Sequence, residues 1–360
     1  MNTVAVDRSA QAAEFAEIGG GRVLWQLGSY EEEYAALRSA VGLLDLSGSG
    51  PLRVSGPDAA ALLNRALSRD VEFLAPEQAR SSLVLREDGG LVDVVVVLSV
   101  AEEDYLVHCG PGRADAVLRA LHDAAAGDDL LAEAADLAGE YAVYAIEGPQ
   151  AWRPVAEVFG EDYVSLAYES LLPAELDGVE AVLARIGLTG EYGYTLFVPR
   201  EVAPRVWEAL EERAVVVGHR ALETAMLEVR QPVLHREAGP DSTVLTTGLN
   251  WLVDLSKEEF TGRDAVLAQR AAARGTRPIG IGVAEGELAP GDELFVAGEH
   301  VGRVRHVVHS PGYGGQLGIA EVHPQWQAAR LEFTSAAGAR AVTLAAPYVV
   351  PASWTTPMEV

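Results

Sequence analysis

The chain has 360 residues, 49% of them hydrophobic, and carries 53 acidic against 27 basic side chains for a formal net charge of -26. That length and apolar content allow two or three domains with cores of their own and exclude a disordered chain. The acidic surface argues against nucleic-acid or anionic-membrane partners, and the single Cys109 excludes an internal disulfide framework or a multi-cysteine metal site.

The opening MNTVAVDRSAQAAEFAEIGG has no basic start followed by an apolar core, so no secretory leader is expected. No apolar run reaches the roughly 20 residues that span a bilayer. A cytoplasmic protein is therefore expected. Tyr30–Ala40 is a predicted helix and Leu43–Val54 an extended segment broken by SGSG. In RVSGPDAAALLNRAL a strand stops at Ser55-Gly56, Pro57 suits a first helical turn, and Leu62, Leu63 and Leu67 share a face. Ser81–Leu85 and Leu91–Val100 read as strands joined through Asp88-Gly89-Gly90, followed by strand Asp104–Cys109 and helix Arg113–Ala124.

YAVYAIEGPQAWRPVAEVF then repeats the earlier plan of strand, Gly-Pro and apolar-faced helix, with Gly148-Pro149 standing for Gly56-Pro57. A glycine-turn strand pair over Val179–Val198 and a helix over Arg200–Glu212 follow it. The expectation is two related α+β lobes. Further helices are predicted at His219–Val229 and Gly262–Arg274, and from Pro278 onward short strands and turns predict a small all-β domain.

Several kinds of chemistry are looked for and not met. GGGR at Gly19–Arg22 follows no predicted strand, so it supports neither a dinucleotide fingerprint nor a phosphate loop. Ser47 and Ser49 lack the nucleophile-elbow frame. His306 and His309 are separated by an odd number on a predicted strand and point to opposite faces, so no metal site is expected. Asp93, by contrast, interrupts the apolar run LVDVVVVLSV, which makes it either a satisfied core acid or a site group with a raised pKa. His108 and Cys109 sit together at the end of YLVHC. Glu223 and Glu228 flank ALETAMLEV, where Glu228 could cap, pair with Arg230 or face a cleft. In ARIGLTGEYGYTLFVP, glycines at 187, 190 and 193 make a bend that carries Glu191.

In order along the chain, VGLLDLS, REDGGLVD, IEGPQA, RIGLTGEYGYTLFVP, GLNWLVDLSKEEFTGRDAV and GVAEGELAPGDEL resemble the successive motifs of the aminomethyltransferase family, the T-protein of the glycine cleavage system and its demethylase relatives. The resemblance implies two interleaved α+β domains, 1–55 with 142–220 and 56–141 with 221–275, and a C-terminal β-barrel-like domain, 276–360, around a central channel. It implies tetrahydrofolate as cofactor and a small-molecule substrate that exchanges a one-carbon unit with it. Glu191 matches the acid that hydrogen-bonds the pterin, Arg185 the arginine of the same motif, and Trp251 an aromatic of the third linking segment. Tyr192 and Tyr194 could stack on the ring or simply pack.

The chain departs from that pattern at several points. The family's catalytic acid, second of an Asp-Asp pair, is Val94 here, with Asp93 at the first position; a folate-contacting asparagine is Cys109, and expected arginines fall near Met226 and Pro290. Candidates for the general acid are therefore Asp93, His108 and Tyr105. Arg303, Arg305 and Arg236 are cations available to an anionic folate tail. The reading is a demethylase-like, folate-dependent one-carbon transferase. The alternatives are the same scaffold with a degenerate folate site, catalysing a folate-independent step or serving as a ligand-binding module, and a component that docks a larger dehydrogenase.

Overall fold

The computed structural model describes residues 13–126, 129–176, 178–272 and 275–358. The opening dodecapeptide that enters the leader reading, and Arg274 at the end of a predicted helix, lie outside them. The first α-helix, α1 (Tyr30–Ser39), starts because Ser29 accepts the Glu32 N–H and three acids follow in the first turn, complementing the helix dipole. Glu33 of that helix is buried, and its carboxylate accepts N–H groups from Leu27, Gly28 and Gly218. It thus holds the N-terminus of a helix almost two hundred residues on.

The lobes are two separate sheets. One contains six strands in the order 171–176, 179–184, 193–199, 141–147, 42–45 and 215–216; the other contains five, in the order 78–85, 91–101, 104–108, 51–55 and 133–136. Leu43–Val54, expected as one extended segment of one domain, is therefore divided. Gly42–Asp45 pairs with the strand beginning at Tyr141, whereas Pro51–Ser55 pairs in the second sheet. The turn at Ser47–Ser49 carries the chain across. Gly42–Asp45 buries both faces, Leu43 in one core and Leu44 in another, whereas Leu52 and Val54 of Pro51–Ser55 enter a third.

α2 (Ala59–Ala66) and α3 (Ala114–Ala125) cover the second sheet; α4 (Trp152–Phe159) and α5 (Ala203–Glu211) cover the first. The repeated Gly-Pro turns take matching shapes: Gly56 and Gly148 have φ of 117° and 132°, and a Cβ on either would strike a carbonyl oxygen of another segment. Only glycine fits there. α2 is finished by Lys257, whose ammonium is buried and donates to the carbonyls of Asn64, Leu67 and Arg69; burial lowers its pKa to about 8.

The C-terminal region is a closed barrel of six strands in the order 277–285, 315–322, 299–310, 293–296, 332–335 and 340–344. α6 (His219–Glu228) packs between α1 and this barrel and is buried along most of its length. Two buried acids join these parts. Glu228, fully buried, accepts from Tyr34 Oη at 2.8 Å, Arg38 Nε at 2.7 Å and Ser310 Oγ at 2.5 Å. Arg38 also donates to the carbonyls of Thr189 and Ala225 and lies 3.4 Å from Glu191. Removing a cation that two buried carboxylates share leaves uncompensated charge. Arg38→Met is therefore expected to lower the unfolding free energy by about 3–5 kcal/mol in a denaturant titration, against at most about 1 kcal/mol for removal of the exposed Arg213 pair.

Candidate active site

Where the two sheets, α6 and the loop after it converge, they enclose a hollow of about 180 Å³. Its walls are mostly apolar, with Leu46, Val94, Val96, Leu222, Met226 and Leu249 among them, and a few polar groups converge on it. Asp93, His108, Cys109 and Trp251 all reach this hollow. A second, more open hollow of about 380 Å³ adjoins it, sharing Tyr168, Leu188 and Gln231, and receives Arg185, Glu191 and Tyr192.

Asp93 is 1% exposed, and burial raises its pKa to about 7 against the pull of hydrogen bonds from Gly110 and Val94. The Gly110 N–H donates to Oδ2 at 2.7 Å, and a Cβ on Gly110 would stand 2.8 Å from Oδ1. Glycine at 110 is thus what lets the carboxyl lie against the loop. Although Val94 points from the opposite side of the strand, both residues contribute to the wall, because the strand edge itself borders the hollow. His108 faces the first sheet, its ring edge-on to Phe197 at 5.6 Å. Burial lowers its pKa to about 4, and its buried Nδ1 has no hydrogen-bond partner.

Tyr105 is not part of the site. Three residues before His108 on one strand, it projects to the other face and packs in the core under α2 and α3. Cys109 lies on the hollow but is buried, and burial, with Asp93 and Asp136 adding to it, pushes the thiol pKa well up. It is a small apolar wall element and not a nucleophile.

Glu191 lines the second hollow, but its carboxylate is already engaged. One oxygen accepts the Ala352 N–H at 2.9 Å and the other the Ser353 N–H at 2.8 Å, Arg38 stands beside them, and the side chain has no exposed surface. Both carboxylate oxygens of Glu191 are thus engaged by the C-terminal segment. Arg185 likewise turns inward: it donates to the Gly193 carbonyl and stacks over Tyr192 and Tyr194 at 5.1 and 4.7 Å. Tyr192 is therefore a face for Arg185, while Tyr194 is buried in the core. Beneath the bend lies Glu147, which accepts from the Leu188 N–H and the Thr189 hydroxyl; burial raises its pKa to about 7. Trp251 is 60% exposed at the mouth of the first hollow.

Two groups on the hollow had no sequence signal of their own. His219 is buried with its pKa lowered to about 4 chiefly by burial, and its Nε2 has no partner. His235, on a one-turn helix after Pro232, lies 3.0 Å from Glu223. Burial works against charge on Glu223, but His235 and Arg236 outweigh it and hold the carboxyl below its usual range. Among the described residues no group of three His, Cys, Asp or Glu side chains converges as metal ligands, and no helix is long and apolar enough to cross a membrane.

A protonatable carboxyl and two unpartnered imidazole nitrogens around an apolar hollow between two sheets and α6, in a chain completed by a barrel, define a small-molecule enzyme of three-part architecture. Residues 6–257 match the family model described as GCVT N-terminal domain. The chain is 36% identical over 336 residues to an aminomethyltransferase of Streptomyces coelicolor, covering 90% of each, and 30% identical over 319 residues to one of Moorella thermoacetica, covering 87% of each. In fold it is similar to the glycine cleavage system aminomethyltransferase T from Bartonella henselae, with a TM-score of 0.86 over 94% of this chain and 95% of that one, at 24% identity. The chain belongs to the aminomethyltransferase family of one-carbon transferases.

The Asp93 carboxyl gives a pH signature. Its folded pKa near 7 lies above the ordinary 3.8, so the stability tied to its neutral form is fully present below pH 3.8 and is lost as pH rises through 7. Asp93→Asn should therefore match the wild type near pH 4 and become relatively more stable toward pH 8, as thermal unfolding at the two pH values will show.

Proposed function

We propose that this protein transfers a one-carbon group between a small N- or O-methylated substrate and tetrahydrofolate, demethylase-like in its chemistry, with Asp93 as the general acid. The observation that carries this reading is the buried Asp93 carboxyl, poised near neutrality on the wall of an apolar hollow. The hollow suits a flat heterocycle. Val94, Val96, Leu222 and Met226 offer it apolar faces, with the His108 and His219 rings in the wall behind them. Trp251 at the mouth supplies an aromatic surface.

When bound, the folate supplies a nitrogen that accepts or returns the one-carbon unit. The rest falls to the chain. Apolar walls exclude water and strengthen the electrostatics inside, and Trp251 with Met226 fixes the approach. Asp93, protonated for a sizeable fraction of molecules at pH 7, holds a proton where the departing heteroatom needs one, and the Gly110 N–H stabilises the carboxylate left behind. Because the position beside it is Val94 and the carboxylate of Glu191 is engaged by the C-terminal segment, the contacts differ from those the family motifs imply. That difference favours a donor other than the aminomethyl group. It also sustains a second reading, in which the same hollow holds a non-folate ligand.

Calorimetric titration with tetrahydrofolate separates the two. Micromolar binding is expected, weakened about tenfold or more by Trp251→Ala through loss of an aromatic contact. Asp93→Asn should retain binding and lower kcat by about 10²–10⁴-fold, the usual contribution of a positioned acid. A well-folded protein that binds no folate would remove the first reading.

A further inference from the structure

Beneath the glycine-rich bend, Glu147 is fully buried at the end of the strand Tyr141–Glu147 and reaches neither hollow. Its carboxylate lies in a notch between two glycines: a Cβ on Gly187 would stand 3.2 Å from either oxygen, and one on Gly193 would stand 2.8 and 2.9 Å from them. Glycine at both positions is what makes room for the acid. Oε1 accepts the Leu188 N–H at 2.9 Å, and Oε2 accepts the Thr189 hydroxyl at 2.7 Å. The Thr189 hydroxyl oxygen in turn accepts the Glu191 N–H at 3.4 Å, and the Thr189 carbonyl accepts from Arg38. One hydroxyl thus joins a buried acid to the residue whose carboxylate holds the C-terminal segment.

Leu188 lines both hollows, and Gly190 and Glu191 line the second, so the bend that Glu147 supports is a wall of each. Arg185 favours the charge on Glu147 but gives its Nη1 to the Gly193 carbonyl, and Tyr168 is the other titratable group that acts on the acid; Glu191 and Arg38 stand one link beyond, at Thr189. Burial outweighs the donors and Arg185, and raises the acid to about 7. A proton on Oε2 reverses the hydrogen bond to Thr189. The carboxyl O–H then donates to the hydroxyl oxygen, whose own proton has to leave that line. Thr189 is itself fully buried, so the displaced proton has no solvent to turn to and competes for the side on which the Glu191 N–H is received. We propose that Glu147 is a positioning residue of the active site, setting through Leu188 and Thr189 where the bend stands in the walls of both hollows according to whether it carries a proton. This does not depend on the ligand being a folate.

The test is a pH titration of the whole chain without ligand, from about pH 5 to about pH 9, followed by the amide resonances of Leu188 and Glu191 and the methyl resonances of Leu188. All are expected to move along one curve centred near pH 7. Glu147→Gln presents an oxygen to the Leu188 N–H and an N–H to the Thr189 oxygen, as the protonated acid does, so its signals should lie flat at the acid end of the wild-type curve. Asp93→Asn removes the other carboxyl near 7 and should leave the curve in place. Thr189→Val keeps the acid but cuts the link: Leu188 should still titrate while the Glu191 amide no longer follows, which decides the matter should the Gln variant not fold. A wild-type shift confined to the Leu188 amide, the direct donor, would overturn the proposal. So would a curve that survives in Glu147→Gln, one that vanishes in Asp93→Asn, or a Glu191 amide that still titrates in Thr189→Val.

Discussion

The guanidinium of Arg38 ties the first lobe to α6 and, through Glu228 and Glu191, to the barrel and the C-terminal segment. It comes from α1, pairs with Glu228 of α6, reaches the carbonyl of Thr189 in the glycine-rich bend, and stands beside Glu191, which in turn holds the C-terminal segment. A buried charge of this kind is costly unless every partner is in place, so the arrangement tolerates little deviation in the relative position of its elements. Packing alone, being non-directional, would allow the lobes and barrel to slide.

Within that frame the site uses burial to set its chemistry. Asp93 is kept close to neutrality by removal from water, while His108 and His219 are kept uncharged by the same cause acting in the opposite direction on a base. The hollow thus has polar atoms but little fixed charge of its own. Its charged neighbours are Arg113 and Glu223, the latter balanced by His235 and Arg236. A neutral, flat heterocycle is better matched to such a space than an ion is.

Much of this was legible in the sequence because it follows from local rules. Alternation and Gly-Pro turns marked the strands and helices of both lobes, and a lone acid in LVDVVVVLSV marked Asp93. What escaped depends on partners far along the chain. Tyr105 looked as good an acid as His108 until strand direction put them on opposite faces. Glu191 carries a family motif, but its oxygens are claimed by Ala352 and Ser353, some 160 residues on, and no local pattern announces such a pairing. His235 reaches the hollow only because a one-turn helix follows Pro232. The division of Leu43–Val54 between two sheets likewise rests on which strands recruit each half.

The C-terminal attachment carries a consequence for how the molecule is made. Trp354 donates to the Gly190 carbonyl, and Tyr348 and Val349 donate to that of Glu228, so one wall of the larger hollow is finished by some of the most distant contacts in the chain. Contacts of such separation form after local ones, because the intervening chain must first be gathered in. During synthesis the lobes and barrel can assemble while Glu191 and Glu228 still await these groups, and a chain ending before residue 352 would be nearly complete in mass yet lack one wall of that second hollow.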